Sequence, residues 1–235
     1  NEKEAAFFNQ IKKEKFEHSK IVAFGSTRRP KQDVMTDPNI QALLQAETPA
    51  VMLVGKTWKE HVKHVIKTTP GENLEMIFDS VEYMKKMERE VLFDLEHFFD
   101  GYKDDREYAL QVLETASEAG ADALVLCDTN GGTLPSEVAA VLADLPKEKL
   151  APLGVHFHND CGVAVADTLI AVENGATHIQ GTVNGWGERT GNANLCTFIP
   201  NIVLKTDYAA SCENSLARLT HVSRFVAEKA NIIPD

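Results

Sequence analysis

The sequence predicts a parallel α/β protein. Short apolar runs alternate with longer amphipathic stretches along the chain, the pattern of parallel strands joined by helical crossovers. Polar and ionisable residues gather just after each apolar run. That is the C-terminal edge of the strands, where sites form in such folds.

Six apolar runs read as strands: Ile21–Gly25, Ala50–Val54, Val91–Leu95, Ala123–Cys127, Gly154–Phe157 and Thr177–Val183. Each is rich in Val, Ile, Leu or Phe, as for strands covered on both faces. A helix over Glu2–Lys15 opens the chain with no strand before it. Asn39–Glu47 follows Asp37-Pro38, a capping residue with proline in the first turn. Trp58–Lys67 and Leu74–Glu90 carry apolar residues at helical spacing. Asp104–Ala119 ends at Gly120, a natural helix stop. Pro135–Leu145 and Gly162–Asn174 follow, the latter closed by Gly175. Pro200 interrupts Leu195–Lys205, which is expected to be bent or short. Ser215–Ala230 reads as a helix leaving the repeat. Six strands suit an open doubly wound sheet, or a (β/α)8 barrel lacking two strands. Both ends read as cut from a longer protein.

The 235 residues are 43% hydrophobic and 25% charged, an ordinary globular balance that argues against disorder. The formal charge of −11 argues against a general nucleic-acid binder but not against a phosphorylated small substrate. No apolar run approaches the roughly 18 residues of a membrane span, and no secretory signal opens the chain. The 4 cysteines form no C-x-x-C pair and fit reduced thiols in a cytoplasm. A cytoplasmic protein acting on small molecules, with neither nucleic acid nor membrane as partner, is the expectation.

The segments after the strands are Gly25-Ser-Thr-Arg-Arg29, Gly55-Lys-Thr57, Phe93-Asp-Leu-Glu-His97, Cys127-Asp-Thr-Asn-Gly-Gly132, Val155-His-Phe-His-Asn-Asp160 and Asn184-Gly-Trp-Gly-Glu-Arg-Thr-Gly-Asn192. His156 and His158 are the sharpest signal. Residues two apart on a strand point to one face, so both imidazoles project together, about 7 Å apart along the backbone. Two neutral imidazoles with a carboxylate or amide oxygen suit a divalent cation with open positions; the plain alternative is a hydrogen-bonded polar strand end. Glu96 shares a face with Leu92 and Asp94, where a carboxylate can orient substrate or move a proton; a salt bridge is the alternative. Asp128 and Thr129 precede Gly131-Gly132, which let a backbone approach a ligand, or they form a plain turn with Asp128 as cap. Arg28 and Arg29 suit a carboxylate or phosphate, with Lys56 equally ambiguous. Gly185-x-Gly187-x-x-x-Gly191 misses the dinucleotide fingerprint by one position. Cys161 reads as a small packing residue, and Phe98-Phe99 as core or pocket wall.

His156–Ala166 followed by Gly181–Asn192 resembles the acyl-CoA-dependent synthase branch of the metal-dependent TIM-barrel lyases, whose members include 2-isopropylmalate, homocitrate and citramalate synthases. Gly25–Pro30 and Glu96–Lys103 most resemble the citramalate synthase subgroup. The resemblance covers the whole chain. It implies a (β/α)8 TIM barrel, incomplete here with the first two strands absent. Residues 1–210 would form a partial catalytic barrel, and 211–235 would begin a helical linker. It implies His156, His158 and Asn192 at a divalent metal (magnesium, manganese or zinc), with Glu96 as the strand-end glutamate beside the keto acid. It further implies Thr129 on the substrate carboxylate and Gly187, Arg189 and Gly191 toward acyl-CoA; Arg28, from its own chemistry, is also expected on the substrate. The implied reaction condenses acetyl-CoA, as co-substrate, with pyruvate or 2-ketoisovalerate to give citramalate or 2-isopropylmalate plus CoA, in a homodimer. The family's first strand carries an arginine–aspartate pair that this chain lacks, so this polypeptide by itself is expected to be inactive. The alternatives are a hydroxyacyl-CoA lyase or carboxyltransferase of the same fold, or a non-catalytic fragment.

Overall fold

The structure, a computed structural model, describes residues 2–233. The chain divides into two compact units, Asn1–Cys127 with Pro146–Leu153, and Asp128–Leu145 with Gly154–Asp235.

In the first unit, β1 (Val22–Ser26), β2 (Ala50–Lys56), β3 (Glu90–Glu96) and β4 (Ala123–Asp128, its last residue in the second unit) follow one another. Each pairs in parallel with the next, with Val22 opposite Ala50, Ala50 opposite Glu90 and Leu92 opposite Ala123. Val91, Phe93 and Leu95 alternate along β3 and are fully buried. Gly55 makes this possible, since a Cβ there would stand 2.5 Å from the Phe93 ring and 3.3 Å from Ile77. Leu92, Asp94 and Glu96 take the other face. The helices are α1 (Glu2–Ile11), α2 (Pro38–Gln45), α3 (Lys59–His64), α4 (Pro70–Lys86), α5 (Phe98–Asp104) and α6 (Arg106–Glu118). Asp37 caps α2 by accepting the N–H groups of Asn39 and Ile40, and Thr69 caps α4, as short oxygen side chains do at helix starts. α4 buries Met76, Ile77, Val81 and Met84; each such side chain contributes about 1.5–3 kcal/mol.

The second unit carries α7 (Pro135–Asp144), β5 (Leu153–Phe157, entering from the first unit), α8 (Ala164–Glu173), β6 (His178–Gln180), α9 (Leu195–Lys205) and α10 (Leu219–Ala230). β5 and β6 are parallel, with Gly154 opposite His178 and His156 opposite Gln180.

Six strands stand among the described residues, each where an apolar run predicts one. The boundaries differ where turn chemistry intervenes. The run predicted over Thr177–Val183 pairs as a strand only over His178–Gln180, and the chain then turns through Asn184 and Gly185, at φ 65° and 72°. The helix predicted over Trp58–Lys67 spans Lys59–His64, with Lys67 in the left-handed region at φ 55°. That predicted over Leu74–Glu90 starts earlier, at Pro70, and stops before Glu88, at φ 58°. The stretch Ser215–Ala230 divides into a 3-10 turn, Glu213–Arg218, and α10. α9 runs unbroken through Pro200: proline removes one backbone bond without ending the helix. α5 was not predicted; its Phe98 and Phe99 are fully buried. No helix among the described residues is long and apolar enough to cross a membrane.

Candidate functional site

In the second unit, β5 delivers His156 and His158 on one side of the strand, their ring centroids 5.1 Å apart. Phe157 between them is buried. The His156 Nδ1 lies 2.8 Å from the Gln180 Oε1, the residue opposite it in the β5–β6 register. The amide nitrogen of Asn192 lies 3.4 Å from the His156 Nε2. These two contacts suit a ring that carries its proton on Nδ1, facing the Gln180 carbonyl, and its lone pair on Nε2. The His158 Nδ1 and the Asn192 Oδ1 are both buried without a hydrogen-bond partner. Burial, then the charges of His156 and Arg189, holds the His158 imidazole below the ordinary histidine range, in the neutral form that binds metals.

Asn192 arrives by a folded loop. Asn159 N–H donates to Gly191 O at 2.8 Å, Ala193 N–H to Phe157 O at 3.0 Å and Asn192 N–H to Gly185 O at 2.9 Å. These bonds fasten residues 185–193 to the exit of β5. Gly191, at φ 97°, has no room for a side chain: a Cβ would lie 2.1 Å from Gly185 O. A Cβ on Gly187 would lie 2.4 Å from the Asn192 Oδ1. Arg189 grips Asp160 with two hydrogen bonds, 2.8 and 2.9 Å, and donates to Thr129 O at 2.8 Å. Its hydrogen bond holds the Asp160 carboxyl below the usual range. Of the residues expected toward acyl-CoA, Gly187 and Gly191 thus lie against the Asn192 turn, and Arg189 is an ion-pair clamp. Thr129 sits half-buried at the exit of β4. Asp128 beside it is buried and accepts the Thr133 N–H at 2.9 Å. Cys161 is exposed rather than packed, because it stands in the turn before α8.

The first unit holds Glu96 and Arg28. Glu96 ends β3 and is paired with Lys56, its partner in the β2–β3 register. Arg28 is 5% exposed, and its guanidinium meets Glu72 and Asp79, each at 2.8 Å. Both residues, with Arg29, Lys56 and Asn73, line a cavity of about 170 Å³ at the strand ends. Next to Glu96, His97 takes a left-handed backbone at φ 55° and its Nδ1 lies 3.0 Å from the Asp100 carboxylate.

No group of three or more His, Cys, Asp and Glu side chains among the described residues can hold a metal; the polar side chain beside the imidazoles is the Asn192 amide. Two imidazoles and one amide oxygen, with two buried atoms lacking partners, fit a divalent cation that keeps further positions for other ligands. Residues 4–226 match the HMGL-like family model. The chain belongs to the HMGL-like family. This HMGL-like chain is 52% identical over 233 residues to an (R)-citramalate synthase of Aquifex aeolicus, covering 99% of this chain and 44% of that protein. It is 49% identical to an (R)-citramalate synthase of Geobacter sulfurreducens, covering 100% of this chain and 44% of that protein. It therefore spans less than half the length of these curated relatives. In fold it matches the crystal structure of Bacillus subtilis HMG-CoA lyase, with a TM-score of 0.74 at 19% identity, over 94% of this chain and 74% of that one.

One residue of the site escapes the sequence reading: Gln180 is visible only once the β5–β6 register is known. Asp167, buried elsewhere on α8, has a weak signal: it falls on the face that carries Ala164, Thr168 and Ala171, all buried.

Proposed function

We propose that this chain is the metal-bearing part of an acetyl-CoA-dependent 2-alkylmalate synthase that condenses acetyl-CoA with a 2-keto acid, pyruvate being the first choice. The observation that carries the reading is the convergence of His156, His158 and Asn192, with buried donor atoms left unpartnered. The identity of 52% and 49% to (R)-citramalate synthases, over nearly all of this chain and 44% of each of those proteins, supports the choice of keto acid.

His156, His158 and Asn192 would hold the cation. A divalent ion bound there supplies Lewis-acid stabilisation to the carboxylate and carbonyl oxygens of a 2-keto acid. Arg189 fixes the loop that presents Asn192 through its clamp on Asp160. Glu96, held by Lys56 across the strand pair, is the first unit's candidate for moving a proton. In the reaction the acetyl methyl group loses a proton, its carbon bonds to the keto carbon, and water cleaves the thioester to release CoA.

The test is thiol release from acetyl-CoA by the full-length protein. Release is expected with pyruvate and manganese, and to fall at least a hundredfold for His156→Ala, the scale expected when an electrostatic element of a site is lost. No release with pyruvate, 2-ketoisovalerate or 2-ketoglutarate overturns the reading.

A further inference from the structure

We infer that Gln180 is a positioning residue that selects the metal-binding form of His156; the inference rests on the metal reading above. A neutral imidazole carries one proton on either nitrogen, and only the bare nitrogen can bind a cation. Two independent neighbours define that choice at His156. The Gln180 Oε1, 2.8 Å away, is placed to accept a hydrogen bond from Nδ1–H. The Asn192 amide nitrogen, 3.4 Å away, donates toward Nε2. Both contacts suit hydrogen on Nδ1 and a lone pair on Nε2, where a cation would replace the Asn192 N–H.

Gln180 gains this place from the parallel register, which sets it directly across from His156. Residues 154 and 178 keep that register close: a Cβ on Gly154 would lie 2.9 Å from His178 O. An amide across the pair, rather than a carboxylate, holds the ring without adding charge beside the cation. Partners of this kind, on the far nitrogen of a ligating histidine, typically contribute 10–100-fold in metal affinity.

The experiment uses the full chain in its metal-free form, with nitrogen-15-labelled histidine, together with manganese titration. In the wild type above neutral pH, the His156 ring is expected to be protonated at Nδ1. Gln180→Leu removes the acceptor; the ring should lose that bias and manganese affinity should fall 10–100-fold. Gln180→Glu retains the acceptor and should keep both the tautomer and the affinity within a few-fold. A wild-type ring protonated at Nε2 overturns the inference. So does a Gln180→Leu affinity equal to wild type while His156→Ala abolishes binding, an outcome that leaves the metal reading intact. Manganese affinity unchanged in His156→Ala defeats the metal reading itself, and the positioning role with it.

Discussion

Asp167 provides the most quantitative test of the second unit's chemistry. It lies on α8, 1% exposed, and its Oδ1 has no hydrogen-bond partner. Burial, then the charges of Asp128 and Glu137, pushes its carboxyl up to about 7 from the ordinary 3.8. The folded chain thus retains a proton that the unfolded chain releases at much lower pH. Its contribution to stability is complete below about 3.8, falls as pH rises toward 7, and is lost above that. Roughly three pH units, at about 1.36 kcal/mol each, set a limit of about 4 kcal/mol; about 2 kcal/mol of it falls between pH 5 and 7. Asp167→Asn removes the ionisation at nearly constant shape. Urea unfolding of variant and wild type at both pH values cancels every other titrating group. The variant's stability relative to wild type should rise by about 2 kcal/mol from pH 5 to pH 7. The same difference at both pH values would refute the reasoning.

Gly187→Ala places a Cβ 2.4 Å from the Asn192 Oδ1 and must displace that side chain; manganese affinity should fall about tenfold with the circular dichroism unchanged. Unaltered affinity would show that Asn192 is not a ligand. Arg28→Met removes ion pairs to Glu72 and Asp79 from a side chain 6% exposed. Loss of a buried ion-pair partner costs about 3–5 kcal/mol, and the 43% exposure of Asp79 reduces this to about 2–3 kcal/mol. The melting temperature should drop by about 4–12 °C; a drop under about 2 °C would show that these ion pairs contribute little to stability.

The strands were legible because their signal is local. Val91, Phe93 and Leu95 alternate in sequence as they do in space, and they are buried where alternation predicts. Boundaries were less legible where one backbone angle decides them. Lys67 and Glu88 adopt left-handed conformations that side chains other than glycine seldom take, and nothing in their identity announces it; Asn184, before Gly185, does carry a turn signal. α5 was hidden because Phe98-Phe99-Asp100-Gly101 is too short for a helical period.

The amino-acid sequence by itself determined the alternation of strand and helix, the shared side of His156 and His158, and the concentration of polar residues at the strand ends. All three follow from periods of 2 and 3.6 along a single chain. Only the tertiary structure decided what those residues meet. Register placed Gln180 against His156 and Lys56 against Glu96. Arg28 was committed to two acids on α4 more than 40 positions away. Space reserved by Gly187 and Gly191 set Asn192 beside the imidazoles. Such contacts join segments distant in sequence, and their geometry is set by packing rather than by the identity of any one residue.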